Sequence, residues 1–478
     1  MTGASIAIRR RAGQGRYRRI PNNEYDGARY LSAVSPSEPP SPIFPRLSGG
    51  AAAPSPERAA AHRRGRLKGA MVAAVARHGY PAVTIDELVA LAGISKRDFY
   101  ESFASKEECF LATFEEVVDL GTEAVRSAFR EASEPRESLL AGIGAFGAAL
   151  VERNDAMSLA IVDSLSLGTA ALGPRERAET RFAELMGQSL GLAAGQEREV
   201  SELVIRGLVG GMRRVAYKCL RDDQPQRFCE HLAELLDWSM GYGRRTGGSS
   251  TPLPLPSGVT VQAGAAEGNG TPALGWGEPP GSERSRAALE QRERIIRAVA
   301  RLAAAGGYAS LSMPAIASAA AVSNRTFYRE FSNKQEAFVA AFDALAKRAF
   351  LHAVGAVAEG QDWPQSVAAA LQATLEFVAA DPLFARLAFF ELAAAGPIGL
   401  DHAERSTERF MILLSPAALP EAVQPLPEVI VEAIGGGIWT VIQVEINSGR
   451  SESLPELGPE LTHFALAPFG VAAPALSR

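Results

Sequence analysis

Apolar residues recur along this chain with a helical period. Leu67, Ala70, Met71, Ala74 and Val75 follow the i, i+3, i+4, i+7, i+8 spacing that lays one stripe along a helix, as do Ile295, Ala298, Val299, Leu302 and Ala303. No stretch of strict alternation bounded by turn residues is long enough to argue for a sheet, so the pattern predicts an all-α chain. Two tracts lack the period. Residues 1–61 join an acid-free arginine stretch (Arg9, Arg10, Arg11, Arg16, Arg18, Arg19) to a Ser/Pro-rich segment, Ser35–Pro45. Such composition buries too little apolar surface to offset ordering entropy and predicts an unfolded tail. Residues 246–284, rich in Gly, Pro and Ser, read as a linker.

Within the first helical block the punctuation is dense. Gly79 suits the residue after a helix, and Thr84-Ile85-Asp86-Glu87 is a capping box opening a second helix whose Leu88 and Leu91 are expected to face inward. Ala92-Gly93-Ile94 makes a tight turn. Ser95-Lys96-Arg97-Asp98 caps a very short helix bearing Phe99, Tyr100 and Phe103, with Asp98 closing that box. Ser105-Lys106-Glu107-Glu108 caps a longer one. Two short helices separated by about four residues must cross steeply, so the second can enter a major groove while the first rests on the backbone. The protruding helix presents Lys96, Arg97 and Tyr100, donors suited to base edges and phosphates.

The block occurs twice. One constant offset relates Tyr80 to Tyr308, Phe99-Tyr100 to Phe327-Tyr328, Phe103 to Phe331, Lys106 to Lys334, Phe110 to Phe338 and Phe114 to Phe342, with no gap from Arg64 to Phe114. Arg181-Phe182 and Arg409-Phe410 keep that offset; Gly210-Gly211 and Gly436-Gly437 stand two residues closer. A period this long indicates whole-domain duplication rather than a solenoid. In the second copy Ser312, Ser323 and Asn333 hold the three cap positions, and the protruding helix carries Asn324, Arg325, Tyr328 and Arg329.

The residues Gly79-Tyr80, Thr84, Leu88, Ala92-Gly93-Ile94-Ser95, Phe99-Tyr100, Phe103 and Lys106-Glu107-Glu108 resemble the DNA-binding domain of the tetracycline-repressor (TetR/AcrR) family. Gly307-Tyr308, Ser312, Ile316, Ala320, Val322-Ser323, Phe327-Tyr328, Phe331 and Lys334-Gln335-Glu336 repeat the resemblance, which covers about fifty residues of each half. It implies two tandem units, each a three-helix helix-turn-helix domain (62–118 and 285–346) followed by a helical effector and dimerisation domain (119–245 and 347–478). It places recognition helices at Ser95–Glu101 and Ser323–Arg329 and brings Tyr100, Tyr328, Lys106 and Lys334 to phosphates. The expected DNA face then comprises Thr84, Ser95, Lys96, Arg97, Tyr100 and Lys106, with Ser312, Ser323, Asn324, Arg325, Tyr328, Arg329 and Lys334. The expected partners are double-stranded DNA and a small-molecule effector. The expected function is that of a cytoplasmic, ligand-responsive regulator, most simply a repressor, with one active head and the other used only for pairing or partner binding as the alternative.

Departures from the pattern sharpen these expectations. Glu101 sets an acid on the first recognition helix, so copy one should bind DNA more weakly or read a different half-site. Ala321 replaces the turn glycine, at about 1 kcal/mol if that position needs a positive φ. A linker near forty residues spans roughly 35 Å, matching the ~34 Å between half-sites. The copies can therefore pair as an intramolecular pseudo-dimer on an asymmetric operator, with further association of two chains left open. Leu232, Leu235, Leu236, Trp238, Ile434, Ile438, Val441 and Ile442 are candidates for the seam or for plain core.

Composition trims the rest. A net charge of −5 gives no prior for wholesale nucleic-acid binding, so any DNA contact must be local. Three cysteines without a C-x-x-C pair exclude a disulfide scaffold and a structural zinc module. The six histidines show no metal-ligand spacing, and no motif points to a cofactor or a catalytic residue. The apolar run around Leu139–Val151 is too short for a bilayer, and no signal peptide or membrane partner is expected. Gly142-Ile143-Gly144-Ala145-Phe146-Gly147 matches G-x-G-x-x-G but follows helix, so close helix packing is the better reading. Phe384, Phe389, Phe390 and Trp439 are candidates for an effector pocket in copy two, or for core.

Overall fold

The computed structural model describes residues 55–131, 134–194, 200–242, 283–358 and 360–474, and these contain no β-strand. The tail up to residue 54 and the linker between residues 243 and 282 lie outside them. The chain divides into two compact units between Gly243 and Arg244.

In the first unit, α1 (Pro56–His78) starts earlier than the composition suggested, because the Ser55 side chain accepts from the Arg58 N–H and Pro56 occupies the first turn. Its stripe Leu67, Ala70, Met71, Ala74 and Val75 is buried. The helix ends at Gly79, whose φ of 72° only glycine adopts freely and whose N–H closes on the Val75 carbonyl. Next come α2 (Ile85–Ala92), α3 (Lys96–Ser102) and α4 (Lys106–Glu131). Leu67, Met71, Leu88, Phe99, Phe103 and Phe110 form the centre of the head, each at 0–1% exposure. Burial on that scale contributes about 1.5–3 kcal/mol per side chain. Leu91 does not join them: it is 39% exposed, because Ala92 takes the inward position one residue on.

The expected boundary between residues 118 and 119 falls inside α4, one unbroken helix shared by head and body. The body follows as α5 (Pro135–Glu152), α6 (Asn154–Ile161), a 3-10 stretch at Asp163–Ala171, α7 (Leu172–Ala194), α8 (Glu202–Arg221), α9 (Gln226–Glu230) and α10 (Leu232–Gly241). Here α5 packs on α4, α7 and α10. The glycine motif lies wholly within α5, where a side chain on Gly142 would meet the Phe129 ring at 2.5 Å and one on Gly147 the Cys229 sulfur at 2.9 Å. It serves helix packing.

The second unit repeats the plan: α11 (Glu283–Ser310, broken at Gly307 with φ 77°), α12 (Met313–Ala319), α13 (Asn324–Glu330) and α14 (Lys334–Gly355). The boundary expected at 346 likewise lies inside α14. Its body holds α15 (Trp363–Ala380), α16 (Pro382–Arg386), a π turn at Leu387–Glu391, α17 (Pro397–Phe410), α18 (Glu428–Asn447) and α19 (Gly458–Leu466). By length and mean hydropathy (1.5) α18 could cross a membrane, a candidate the shorter run at Leu139–Val151 had obscured, but 67% of its apolar window is buried. The seam candidates Leu235, Leu236, Trp238, Ile434, Ile438, Val441 and Ile442 are buried, Leu232 partly so.

Candidate nucleic-acid interface

Three caps fix each head. Thr84 Oγ1 accepts from the Glu87 N–H at 3.2 Å, Ser95 Oγ from Asp98 at 3.2 Å and Ser105 Oγ from Glu108 at 3.1 Å. Ser312, Ser323 and Asn333 do the same for Ala315, Thr326 and Glu336. Each such cap contributes about 1 kcal/mol. The box at Ser95 closes, with Asp98 Oδ2 accepting from the Ser95 N–H at 3.0 Å, so that acid is spent on its own helix. The box expected at Thr84 closes on one side only, because Glu87 turns to His78 Nε2 at 2.9 Å.

The two short helices expected to read DNA, α3 and α13, are helical at Lys96–Ser102 and Asn324–Glu330. Phe99 and Phe327 are fully buried and pin each helix to its head, while Tyr100 and Tyr328 stand out at 58% and 53% exposure. Arg97 and Arg325 are exposed. Their surroundings differ. In the first head Lys96 Nζ pairs with Asp86 at 2.6 Å and Arg97 Nε with Glu101 at 3.0 Å. The residue left unexplained by sequence, Glu101, thus holds the arginine beside it. In the second head Asn324 and Arg325 have no side-chain partner among the described residues, while Arg329 turns aside to Glu330 (3.0 Å) and Gln291. The formal charges of α3 cancel, and α13 keeps one net positive charge.

The two lysines expected on phosphates are placed otherwise. Lys106 Nζ donates to the carbonyls of Val83 (2.8 Å) and Tyr80 (3.2 Å) and lies 4.5 Å from the Tyr80 ring centre. Lys334 does the same with Leu311 (3.0 Å), Tyr308 (3.4 Å) and the Tyr308 ring (4.7 Å). Both act as internal braces on the loop after the first helix, and burial lowers the Lys106 pKa. A second brace escaped the sequence reading. Arg64 and Arg292, at the duplication offset, donate to the Ser102 and Glu330 carbonyls and lie 4.3 and 4.2 Å from the rings of Phe103 and Phe331.

A carboxylate ties each head to its body, again at that offset. The Tyr80 N–H donates to Asp163, whose pKa burial pushes up to about 6. The Tyr308 N–H donates to Glu391 Oε2 at 2.8 Å, and Glu391 is 3% exposed. The body of the first unit holds a cavity of about 110 Å³ lined by α4, α5, α6, α7 and α8, including Phe114, Val117, Ala160, Ile161 and Phe182. The pocket residues expected in copy two lie elsewhere: Phe389 stacks on Trp439 at 4.0 Å, and Phe384 meets Phe377 edge-on at 5.4 Å. With Phe390 also buried, these rings fill space against one another as core. Cys109, Cys219 and Cys229 are free thiols raised in pKa mainly by burial, as inert core cysteines are.

These heads define a helix-turn-helix protein of the groove-reading type. The family model for bacterial regulatory proteins of the tetR family matches residues 70–113 and 295–341, the two heads. The family match thus falls twice in the chain, once on each head. A curated relative, the HTH-type transcriptional activator FasR of Mycolicibacterium smegmatis, is 38% identical over 84 residues; the match covers 18% of this chain and spans 38% of that protein's length. Among solved structures, the fatty acid degradation regulator FadR from Bacillus halodurans is similar at 17% identity and a TM-score of 0.35, over 37% of this chain and 95% of that one. A TetR-like transcriptional regulator from Rhodococcus sp. is similar at 24% identity and a TM-score of 0.31, over 36% of this chain and 94% of that one.

Proposed function

We propose that this chain is a ligand-responsive transcriptional regulator, a repressor, acting in the cytoplasm, whose two heads read unlike half-sites of one operator as an intramolecular pseudo-dimer. The observation that carries this reading is the pair of capped, aromatic-pinned recognition helices, each offering an exposed arginine and an exposed tyrosine. Arginine suits guanine edges, and a tyrosine hydroxyl suits phosphate. Effector coupling has a short route. Phe114 and Val117 line the cavity on the helix whose first residue, Lys106, braces the head, and Ile161 lines it beside the Asp163 tie. A ligand that shifts α4 or the Asp163 loop would therefore change how the first head is held.

A second reading is favoured by the ion pairs Lys96–Asp86 and Arg97–Glu101. In it the second head reads DNA and the first serves pairing. Selection of bound sequences from random duplex DNA, at stated salt, tests both. Two unlike half-sites about one helical turn apart support two readers, a single half-site supports one, and a perfect palindrome bound by two chains contradicts the pseudo-dimer. A promoter fusion carrying the selected site should be silenced by the chain; activation would reverse the sign assigned here.

A further inference from the structure

Cations are distributed unevenly between the approaches to the two heads. Residues 1–54 hold eight arginines, no lysine and three acids, and no acid interrupts the run that holds Arg9, Arg10, Arg11, Arg16, Arg18 and Arg19. That segment lies outside the described residues, but its point of attachment does not. With the chain at −5 and this segment at +5, residues 55–478 carry −10. A duplex approaching the heads is therefore repelled overall unless cations are supplied locally. The first recognition helix supplies few: α3 is neutral, with Lys96 paired to Asp86 and Arg97 to Glu101. The approach to the second head is the reverse. Residues 246–282 hold no Lys or Arg and two acids, Glu267 and Glu278, while α13 keeps a net positive charge.

The attachment lies beside the recognition helix. Arg66 Nη2 donates to the Gly93 carbonyl at 3.1 Å, in the turn before α3, and Arg64 donates to the carbonyl of Ser102, the last residue of that helix. α1 thus holds both ends of α3, and its first residue, Pro56, stands eight residues before Arg64. Eight residues of helix are about 12 Å. Thirty-six residues separate Arg19 from Ser55. A chain of that length reaches roughly 30 Å, close to one turn of duplex. Arginine without lysine suits phosphate, because the guanidinium fork matches two phosphate oxygens at once.

We infer that Arg9–Arg19 is a DNA-binding arm of the first head. It pairs with duplex phosphates next to that head's half-site, whatever the base sequence, and supplies the charge that α3 spends on Asp86 and Glu101. The inference rests on the DNA reading proposed above. A lipid surface or an acidic face of the same chain would also attract arginines. The junction with the groove-reading head, and the missing cations before the second head, favour DNA.

The test compares the full chain with a variant carrying R9Q, R10Q, R11Q, R16Q, R18Q and R19Q. Both are titrated against the selected operator and a random duplex of equal length, each with one extra turn of flanking DNA. Affinity is read by fluorescence anisotropy from about 50 to 200 mM salt. At least three of the arginines are expected to engage phosphates, so the log–log salt slope should become shallower by about 2.7 or more. Affinity at the low-salt end should fall tenfold or more. Both duplexes should lose the same factor, and protection of the flank beside the first head's half-site should vanish from the footprint. The substituted residues belong to neither head, so Tm should not move. Equal slopes and affinities for the two proteins would overturn the inference, as would a loss confined to the operator, which would make the arm a base reader. Tighter DNA binding by the variant would overturn it too, placing the arm on an acidic face of its own chain. Phosphatidylglycerol vesicles are the control: arginine-dependent vesicle binding with an unchanged DNA slope would assign the arm to lipid instead. A parent chain that binds neither duplex removes the DNA reading and the arm with it, whereas a variant that matches a DNA-binding parent on both removes the arm alone.

Discussion

The two heads are built on one skeleton and charged differently. Both hold a recognition helix with a buried phenylalanine, an exposed tyrosine, an arginine brace at its end and a lysine brace on the preceding loop. The first then spends its outward cations on Asp86 and Glu101, while the second leaves Arg325 without an acidic partner among the described residues. The two heads thus agree in the parts that hold the helix and differ in the parts expected to meet DNA. The backbone diverged the other way. Gly93 takes φ 61° in the first head, where the second forces Ala321 to φ 52°. The head with the freer charge carries the more strained turn.

Removing the braces should have the largest effect. Lys106→Met and Lys334→Met each strand two carbonyls, and urea unfolding should show a loss of about 2 kcal/mol in the affected unit. A reduced salt dependence of DNA binding with unchanged stability would instead make these lysines phosphate contacts. The tie at Asp163 comes next. Its carboxyl has a folded pKa raised to about 6 by burial, above the unfolded value of 3.8, so the folded state prefers the protonated form. Stability is therefore greatest below the unfolded pKa and falls as pH rises from about 4 to 6. Asp163→Asn keeps an acceptor for the Tyr80 N–H and should flatten that fall, gaining about 2 kcal/mol at pH 7. Identical pH profiles for the two proteins would show that burial does not strain the charge.

A smaller effect sharpens the contrast in the turns. Ala321→Gly should stabilise the second unit by about 1 kcal/mol, and Gly93→Ala should cost the first a similar amount. Thermal unfolding reads both, and equal Tm values across the set would contradict the strain. The smallest concerns charge alone. Glu101→Gln frees Arg97, adds a few tenths of a kcal/mol to DNA binding and should steepen the log–log salt slope by about 0.9. An unchanged slope would mean that the Arg97–Glu101 pair does not restrain the first head.

Much of this was legible in the sequence because it is local. Caps, turn glycine and helical stripes act over three or four residues, and a gap-free repeat shows each of them twice. The differences are tertiary. The local pattern gives Glu87 to its own cap, and His78, which takes it, reaches it only in the folded head. The resemblance brings Lys106 and Lys334 to phosphates, whereas the fold sets the Tyr80 and Tyr308 carbonyls beneath them, a contact no local pattern shows. Leu91 belonged to the apolar stripe by type, and Ala92 displaced it by position. Aromatic density suggested a pocket in copy two, where the rings consume the space they were expected to line. Asp163 and Glu391 carried an overlooked signal: acids in apolar surroundings at the repeat offset, the mark of a duplicated buried contact.

The claim that both units descend from one groove reader but contribute unequally is tested most directly by head-specific substitution in the full chain, with affinity measured on the selected operator at fixed salt. Arg325→Ala with Tyr328→Ala is expected to weaken binding about 100-fold, at 1–3 kcal/mol for each lost contact. Arg97→Ala with Tyr100→Ala should weaken it about half as much, since the arginine there first has to leave its acid at a few tenths of a kcal/mol. A larger loss from the first pair would contradict the unequal contribution, and no loss from it would contradict two readers.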